Sequence, residues 1–362
     1  MARPTLLFTG FPGFIGARLL PRILELQPEV LIVCLVQERF ELLAREQLAA
    51  IESAHPGASG RISCVRGDIT VPGLGLEDAA ARALRDELTG CHHLAAVYDL
   101  AVSRELGQKI NVVGTRHVLE FLSHARRFER LDYVSTAYVS GRAKGVFHES
   151  DLDVGQSFKN HYEETKYLAE LEVVKSGLPR AIYRPGIVVG DSRTGETAKF
   201  DGPYYMLTAF ERLPSPGLFL RIGGGRNSVN LVPVDFVIEA LARLSASAAS
   251  LGKTYHLTDP RPLTALEIAR LLARGLGKRF VFVPLPLGLA KALLAPRPIQ
   301  RALGVPVQTL DYFDHPCAFD CSVATRDLEP LGVVCPRFPD YVERLIAFYE
   351  SRRGAVRREA MI

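Results

Sequence analysis

The sequence lacks a strong excess of charge of either sign. Its 44 Lys and Arg stand against 40 Asp and Glu, a formal net charge of +4. So mild a balance carries no electrostatic footprint for nucleic acid, and no nucleic-acid partner is expected. Cysteine is sparse: Cys34, Cys64, Cys91, Cys317, Cys321 and Cys335 are scattered, with no CxxC pair. This excludes a disulfide scaffold and fits reduced thiols in a cytoplasmic protein. Asp314, His315, Cys317 and Cys321 lie close in sequence, but their spacing matches no common zinc pattern, and no metal is expected. No uncharged apolar run is long enough for a spanning helix. Met1-Ala2-Arg3-Pro4 leads straight into a strand-like run and does not read as a signal peptide. There is no G-x-S-x-G nucleophile elbow, internal repeat or low-complexity segment.

What is present is ordinary globular material. The 362 residues are 48% hydrophobic and 23% charged, enough for one large core and a smaller lobe. Apolar strand candidates are Thr5–Thr9, Val30–Val36, Ile62–Arg66, His92–Ala96, Leu131–Ser135 and Ala181–Arg184. Helical patterns lie between them at Phe14–Glu25, Phe40–Ala54, Leu76–Leu88, Asn111–Ala125 and Tyr162–Lys175. Strands alternating with helices imply right-handed crossovers and a doubly wound α/β fold with a parallel sheet. After Gly190 the rhythm breaks into a Gly-, Pro- and Tyr-rich stretch that reads as a lid, with Asp201-Gly202-Pro203-Tyr204-Tyr205 at its centre. A strand and helix follow over Asn227–Leu244, then a strand at Thr254–Leu257. A helix over Thr264–Leu276 opens with capping-box spacing between Thr264 and Glu267. Tyr341–Ser351 reads as a closing helix. The expected division is a dinucleotide-binding domain over 1–190 plus 228–258 and a mixed substrate lobe over 191–227 plus 259–350. A basic tail, 351–362, carries Arg352, Arg353, Arg357 and Arg358. That tail reads first as a solvated end and second as a peripheral membrane contact.

Gly10-Phe11-Pro12-Gly13-Phe14-Ile15-Gly16 follows the first strand and opens the first helix. Gly10 suits a tight turn, Gly13 a close approach of backbone to a pyrophosphate, and Gly16 close helix–strand packing. The helix that follows offers N–H groups and a positive dipole end to phosphate. At the end of the second strand, Gln37 is neutral while Glu38 and Arg39 vote oppositely on NAD and NADP. Asp68 has two readings, an acceptor for an adenine amino group or a turn former, and Ile69 follows it. Ala95 and Ala96 are small where backbone must pass close to a cofactor.

Tyr162 and Lys166 are spaced i, i+4, so a phenol and an ammonium share one helix face. A nearby cation makes tyrosine a better acid–base group. Upstream, the strand ending in Ser135-Thr136 brings hydroxyls that can bond a substrate carbonyl. Only one should point directly at substrate; the count back from Gly141, with what a resemblance to extended dehydrogenases implies, favours Thr136. Asn111 reads as a helix N-cap or as part of a proton relay.

These motifs, with Arg184-Pro185-Gly186, resemble extended short-chain dehydrogenases. Several strings are similar to the narrower fatty acyl-CoA reductase and thioester reductase branch, the male sterility domain group. They are Gly67-Asp68-Ile69-Thr70, His93-Leu94-Ala95-Ala96-Val97-Tyr98, Asn111-Val112-Val113-Gly114-Thr115 and Val134-Ser135-Thr136-Ala137-Tyr138-Val139. The resemblance implies NADP as cofactor (NAD remaining possible) and reduction of a fatty aldehyde or acyl thioester by a Tyr-Lys-Ser/Thr site. Gln37 stands where the family places an arginine. The resemblance also implies a small-molecule substrate with an acyl chain, and Pro185 and Gly186 presenting backbone to nicotinamide. Tyr98 and Tyr138 are candidate substrate contacts, and Tyr204 and Tyr205, on the lid, either contact substrate or merely pack. The chain is expected to be a monomer or homodimer. Val283–Leu294 reads as a core helix, a chain-binding cleft or a membrane contact. Competing readings are a nucleotide-sugar epimerase or dehydratase, with Arg221 and Arg226 as basic candidates, a hydroxysteroid dehydrogenase, and a non-catalytic dinucleotide sensor.

Overall fold

The computed structural model describes residues 3–222, 227–296, 307–312, 315 and 317–352. Arg226, Asp314, Arg353, Arg357 and Arg358 lie outside the described residues. Seven parallel strands form the central sheet: β1 (Thr5–Thr9), β2 (Leu31–Val36), β3 (Ile62–Arg66), β4 (Leu88–His93), β5 (Arg130–Val134), β7 (Arg180–Pro185) and β11 (Thr254–Leu257), in the order β11-β7-β5-β4-β1-β2-β3. Short β6 (Gly145–Phe147) lies outside this sheet and pairs with β13 (Cys317–Phe319). The fold is the doubly wound arrangement expected from the alternating pattern. The sheet grows outward in both directions from β1 and β4, and the crevice beyond their carboxyl ends is the topological switch point where such folds bind ligands.

Alternation along each strand buries both faces of the sheet. Phe8, Ile32, Cys34, Tyr183 and Tyr255 face helices α1 (Phe14–Leu26) and α8 (Val234–Ser245). Leu7, Cys91, Leu131, Tyr133 and Ile182 face the opposite layer, built from α3 (Asp78–Glu87), α5 (Gly114–Ser123) and α6 (His161–Lys175). Helix α2 (Glu41–Ala54) flanks the β3 edge, and one-turn α4 (Arg104–Gly107) leads toward α5.

Two differences from the sequence pattern bear on the site. The fourth strand runs Leu88–His93 rather than His92–Ala96. Thr89 Oγ1 donates to the Thr5 carbonyl at 3.1 Å and holds the earlier residues in the ladder. Beyond Leu94, the Val97 N–H turns aside to Asn111 Oδ1 at 2.9 Å, which draws the chain off the sheet. The helix expected from Asn111 begins instead as a π-helical turn, Gln108–Val113, and becomes regular only at Gly114. Such turns recur at functional sites.

A second core joins β8 (Ile187–Val189) and β10 (Leu231–Pro233) with α7 (Tyr204–Arg212), α9 (Ala265–Gly275) and α12 (Phe338–Arg352), through Tyr204, Phe210, Ile268, Leu272, Tyr341 and Leu345. The Thr264–Glu267 capping box forms: Glu267 N–H donates to Thr264 Oγ1 at 3.3 Å, and Thr264 N–H to Glu267 Oε2 at 2.8 Å. A parallel ribbon of β9 (Gly217–Ile222) and β12 (Phe280–Leu285) closes this core. The run Val283–Leu294 is not one core helix. It breaks at Pro286 into the end of β12 and α10 (Leu287–Leu294), and exposes Val283, Leu289 and Leu293. Helix α11 (Ser322–Leu328) packs on the first core through Ala324 and Leu328.

Candidate active site

The glycine turn is packed against itself. Gly10 has φ +96°, and a Cβ there would come 2.9 Å from the Leu94 backbone. A Cβ on Gly13 or Gly16 would come 2.7 or 2.6 Å from the Gly10 carbonyl oxygen. Gly13 thus serves the turn itself, where its N–H donates to the Gly10 carbonyl at 2.9 Å. Helix α1 opens with no side-chain cap and no acidic residue in its first turn. Its uncapped N-terminus, at Gly13, Phe14, Ile15 and Gly16, borders a cavity of about 610 Å³. The N–H groups of Phe14, Ile15 and Gly16, at the positive dipole end of an uncapped helix, fit the pyrophosphate of a dinucleotide.

The cavity runs from that turn to the second core. At one end lie Gln37, Arg39 and Phe40. Arg39 donates to Gln37 Oε1 at 2.9 Å and lies over the Phe40 ring at 4.7 Å. Glu38 is not among the lining residues, and Arg66 pairs with it from β3. Gly67 and Ile69 line the cavity but Asp68 does not. Its carboxylate accepts from the Thr70 N–H at 2.8 Å, as the turn-forming reading requires. Burial raises the Asp68 pKa, yet bonds from Thr70 and Gln37 outweigh it and hold the carboxyl below its ordinary value. Ala95 and Ala96 border the middle of the cavity, and the close approach there is to Gly10.

Tyr162, Lys166, Ser135 and Thr136 meet at the centre. Helix α6, which carries the pair, is fastened by buried polar groups rather than by an apolar stripe. Asn160 caps it through the Glu163 N–H at 2.9 Å, and buried Lys159 pairs with Glu163 at 3.1 Å. Glu170 binds Arg184 of β7 at 2.6 Å, both buried. The Asn111 side chain donates to Thr165 Oγ1 at 3.0 Å and accepts from the Val97 N–H. It lies inside the π-helical turn, not at a helix N-cap, and is not among the cavity's lining residues.

Lys166 Nζ donates to the Tyr133 hydroxyl at 3.0 Å and the Val134 carbonyl at 2.8 Å. Burial pulls its pKa down to about 8, with Glu170 opposing. Burial pushes the Tyr162 phenol above its ordinary value, with the Thr136 hydroxyl opposing. The phenol is therefore held protonated, the form that can donate. Thr136 Oγ1 accepts from the Tyr138 N–H at 3.3 Å and lies 3.5 Å from the Pro185 carbonyl. Ser135 Oγ is buried with no bonding partner. Pro185 and Gly186 line the cavity, but the Gly186 N–H is bonded to the Leu257 carbonyl at 3.1 Å.

Of the four tyrosines expected near substrate, Tyr98, Tyr138 and Tyr205 line the cavity. Tyr98 is 42% exposed and meets Tyr162 edge to face, with centroids 5.2 Å apart. Tyr204 does not line it: its hydroxyl accepts from the Gly190 N–H at 3.2 Å and its ring packs in the second core. Other lining residues had no individual signal in the sequence. Tyr312 stacks edge to face on Tyr138 at 5.0 Å, from a segment without motifs. Asp201, in the lid, has its pKa raised by burial. The far end of the cavity is apolar: Met206, Val229, Leu231, Ala265 and Ile268. Arg221 sits on β9 and is not among the lining residues. Buried His315 packs by Tyr138 and Phe319, neither ring nitrogen bonded, and no metal-ligating cluster occurs among the described residues.

The profile of the NAD-binding male sterility protein family matches residues 8–241. The chain belongs to this family. Among curated relatives, a non-canonical nonribosomal peptide synthetase of Aspergillus campestris is 27% identical over 69% of this chain, which is 25% of its own length. A linear gramicidin synthase of Brevibacillus parabrevis is 28% identical over 70% of this chain and 5% of its own. A fatty acyl-CoA reductase of Drosophila melanogaster is 25% identical over 70% of this chain and 55% of its own. The chain thus spans well under two thirds of these relatives. The terminal R domain of the myxalamid pathway superposes with a TM-score of 0.82 at 27% identity, covering 98% of this chain and 92% of that one. A UDP-glucuronic acid 4-epimerase of Bacillus cereus shares the fold at a TM-score of 0.65 and 18% identity, over 96% of this chain and 99% of its own. The chain is an NAD(P)-dependent oxidoreductase, a reductase of the extended short-chain dehydrogenase and thioester reductase kind.

Proposed function

We propose that this chain reduces a fatty acyl thioester or fatty aldehyde with NADPH, using Tyr162 as proton donor. The observation that carries this reading is one continuous cavity. It holds the uncapped glycine turn, then Tyr162 and Lys166 with two strand-end hydroxyls, then a bay lined by Met206, Leu231 and Ile268. A fatty chain fits that bay by area burial. NADPH held at the glycine turn supplies the hydride. Thr136, with Ser135 beside it, orients the carbonyl. Tyr162 gives its proton to the carbonyl oxygen, and the Lys166 ammonium stabilises the phenolate left behind. An aldehyde then yields the alcohol directly. A thioester yields a hemithioacetal that must expel its thiol to give the aldehyde.

The preference for NADPH rests on Gln37 and Arg39 lining the cavity while Arg66 occupies Glu38. In this reading, residues 1–190 plus 228–258 hold the dinucleotide, and 191–227 plus 259–350 shape the substrate end. A cytoplasmic setting fits six cysteines that are all free thiols. The test is NADPH and NADH oxidation against a panel of acyl-CoAs, aldehydes, ketones and UDP-sugars, with Tyr162→Phe in parallel. The expected result is turnover of long-chain acyl-CoA or aldehyde with NADPH, reduced by about 10²–10⁴-fold in Tyr162→Phe with NADPH affinity kept. Normal turnover by that variant, or turnover of UDP-sugar alone, overturns the reading.

A further inference from the structure

The β9–β12 ribbon has two unlike faces. Phe219, Phe280 and Phe282 point inward, with Phe219 4.6 Å from Phe210 between ring centroids. The alternate residues point outward in register, Leu218 opposite Val281 and Leu220 opposite Val283. All four are exposed, Leu218 by 66% and Val281 by 65%. Helix α10 follows directly after Pro286 and exposes Leu289 and Leu293, one turn apart on one face. Scattered exposed aliphatics are unremarkable, but a paired row of four followed by two more is a surface that wants a partner.

Its charge is one-sided. From residue 212 to 234, and again from 268 to 310, every charged side chain is basic. Arg270, Arg274 and Arg279 are exposed, and Lys278 is partly so. Lys291 is engaged by Asp311 at 2.8 Å. No helix of the described residues is long and apolar enough to cross a membrane. We propose that this face docks the enzyme on an anionic lipid surface, its aliphatic side chains entering the headgroup boundary and its cations meeting lipid phosphates. Protein interfaces draw on Trp, Tyr and Arg anchors at their centre, whereas the exposed large residues of this ribbon are aliphatic and Lys278 and Arg279 immediately precede β12, a pairing that suits an anionic lipid surface. The inference goes beyond the proposed reaction and stands whichever carbonyl is reduced.

The test is co-flotation of the full chain with vesicles of phosphatidylcholine alone or mixed with phosphatidylglycerol, which reads binding without turnover. At least tenfold more protein is expected on the anionic vesicles, and less of it as salt is raised. Leu218→Asp/Val281→Asp should lower that binding at least tenfold, and Lys278→Glu/Arg279→Glu should remove the anionic preference. Melting temperature and turnover of a short soluble aldehyde should stay at the wild-type level in both. Absence of flotation by the wild type, or equal flotation by all three proteins, overturns the proposal. So does a wild-type dimer that Leu218→Asp/Val281→Asp splits, since a second copy would then cover the face.

Discussion

Lys166 Nζ donates to the carbonyl of Val134 at 2.8 Å. The bond ties the α6 face bearing Tyr162 to the end of β5, next to Ser135 and Thr136. An ammonium held this way, without a carboxylate in contact, is a buried cation resting on neutral acceptors. Its lowered pKa follows from that burial.

The pH dependence follows. Folded Lys166 titrates at about 8, below its ordinary 10.5. Between those values the unfolded chain holds the extra proton, so this group's contribution to stability rises with pH there. Below about 8 its burial cost is present in full. The melting-temperature difference of Lys166→Met from wild type should therefore favour the variant more at pH 7 than at pH 10. Turnover should fall as pH passes about 8. Lys166→Arg, which stays charged, should move that limb upward, and an unmoved limb would assign it to another group.

Removing one partner of a buried ion pair leaves an uncompensated charge. Glu170→Ala strands the Arg184 guanidinium, which Glu170 binds at 2.6 Å. A loss of about 3–5 kcal/mol is expected in denaturant unfolding. A loss below about 1 kcal/mol would show the guanidinium finding other acceptors.

Gly16→Ala would place a Cβ 2.6 Å from the Gly10 carbonyl, with the backbone on one side and the Phe8 ring on the other. A stability loss of about 1–3 kcal/mol is expected, together with weaker dinucleotide binding measured by fluorescence titration.

Arg39→Ala should cut the NADPH-to-NADH ratio of kcat/KM at least tenfold, chiefly through the KM for NADPH. Glu38→Gln should leave the ratio close to wild type, because Arg66 already occupies that carboxylate.

The two strand-end hydroxyls are separable. Ser135→Ala removes a buried hydroxyl without a partner, so stability should hold or rise. Thr136→Val removes the group opposing the rise in the Tyr162 pKa and should lower kcat by about 10²-fold or more. Equal kcat losses in both would make the pair, rather than Thr136, the carbonyl anchor.

The sequence by itself determined the sheet, the glycine turn and the i, i+4 placement of Tyr162 and Lys166. Those signals are local: apolar runs buried on both faces, glycines where no Cβ fits, and a helical turn that brings two side chains to one side. Tertiary structure alone decided what each group meets. Asn111 looked like a cap and became the centre of a π-helical turn because Val97 and Thr165 claim its amide. Tyr204 and Tyr205 are adjacent in sequence, yet the helix turns one into the core and the other into the cavity. Tyr312 reaches the cavity from a stretch with no motif, and Glu170 is buried in α6 because Arg184 comes from β7 to meet it. Periodicity fixes which side of an element a residue faces, but the partner on that side, and with it the proton affinity of Lys166, is set by contacts between residues far apart in sequence.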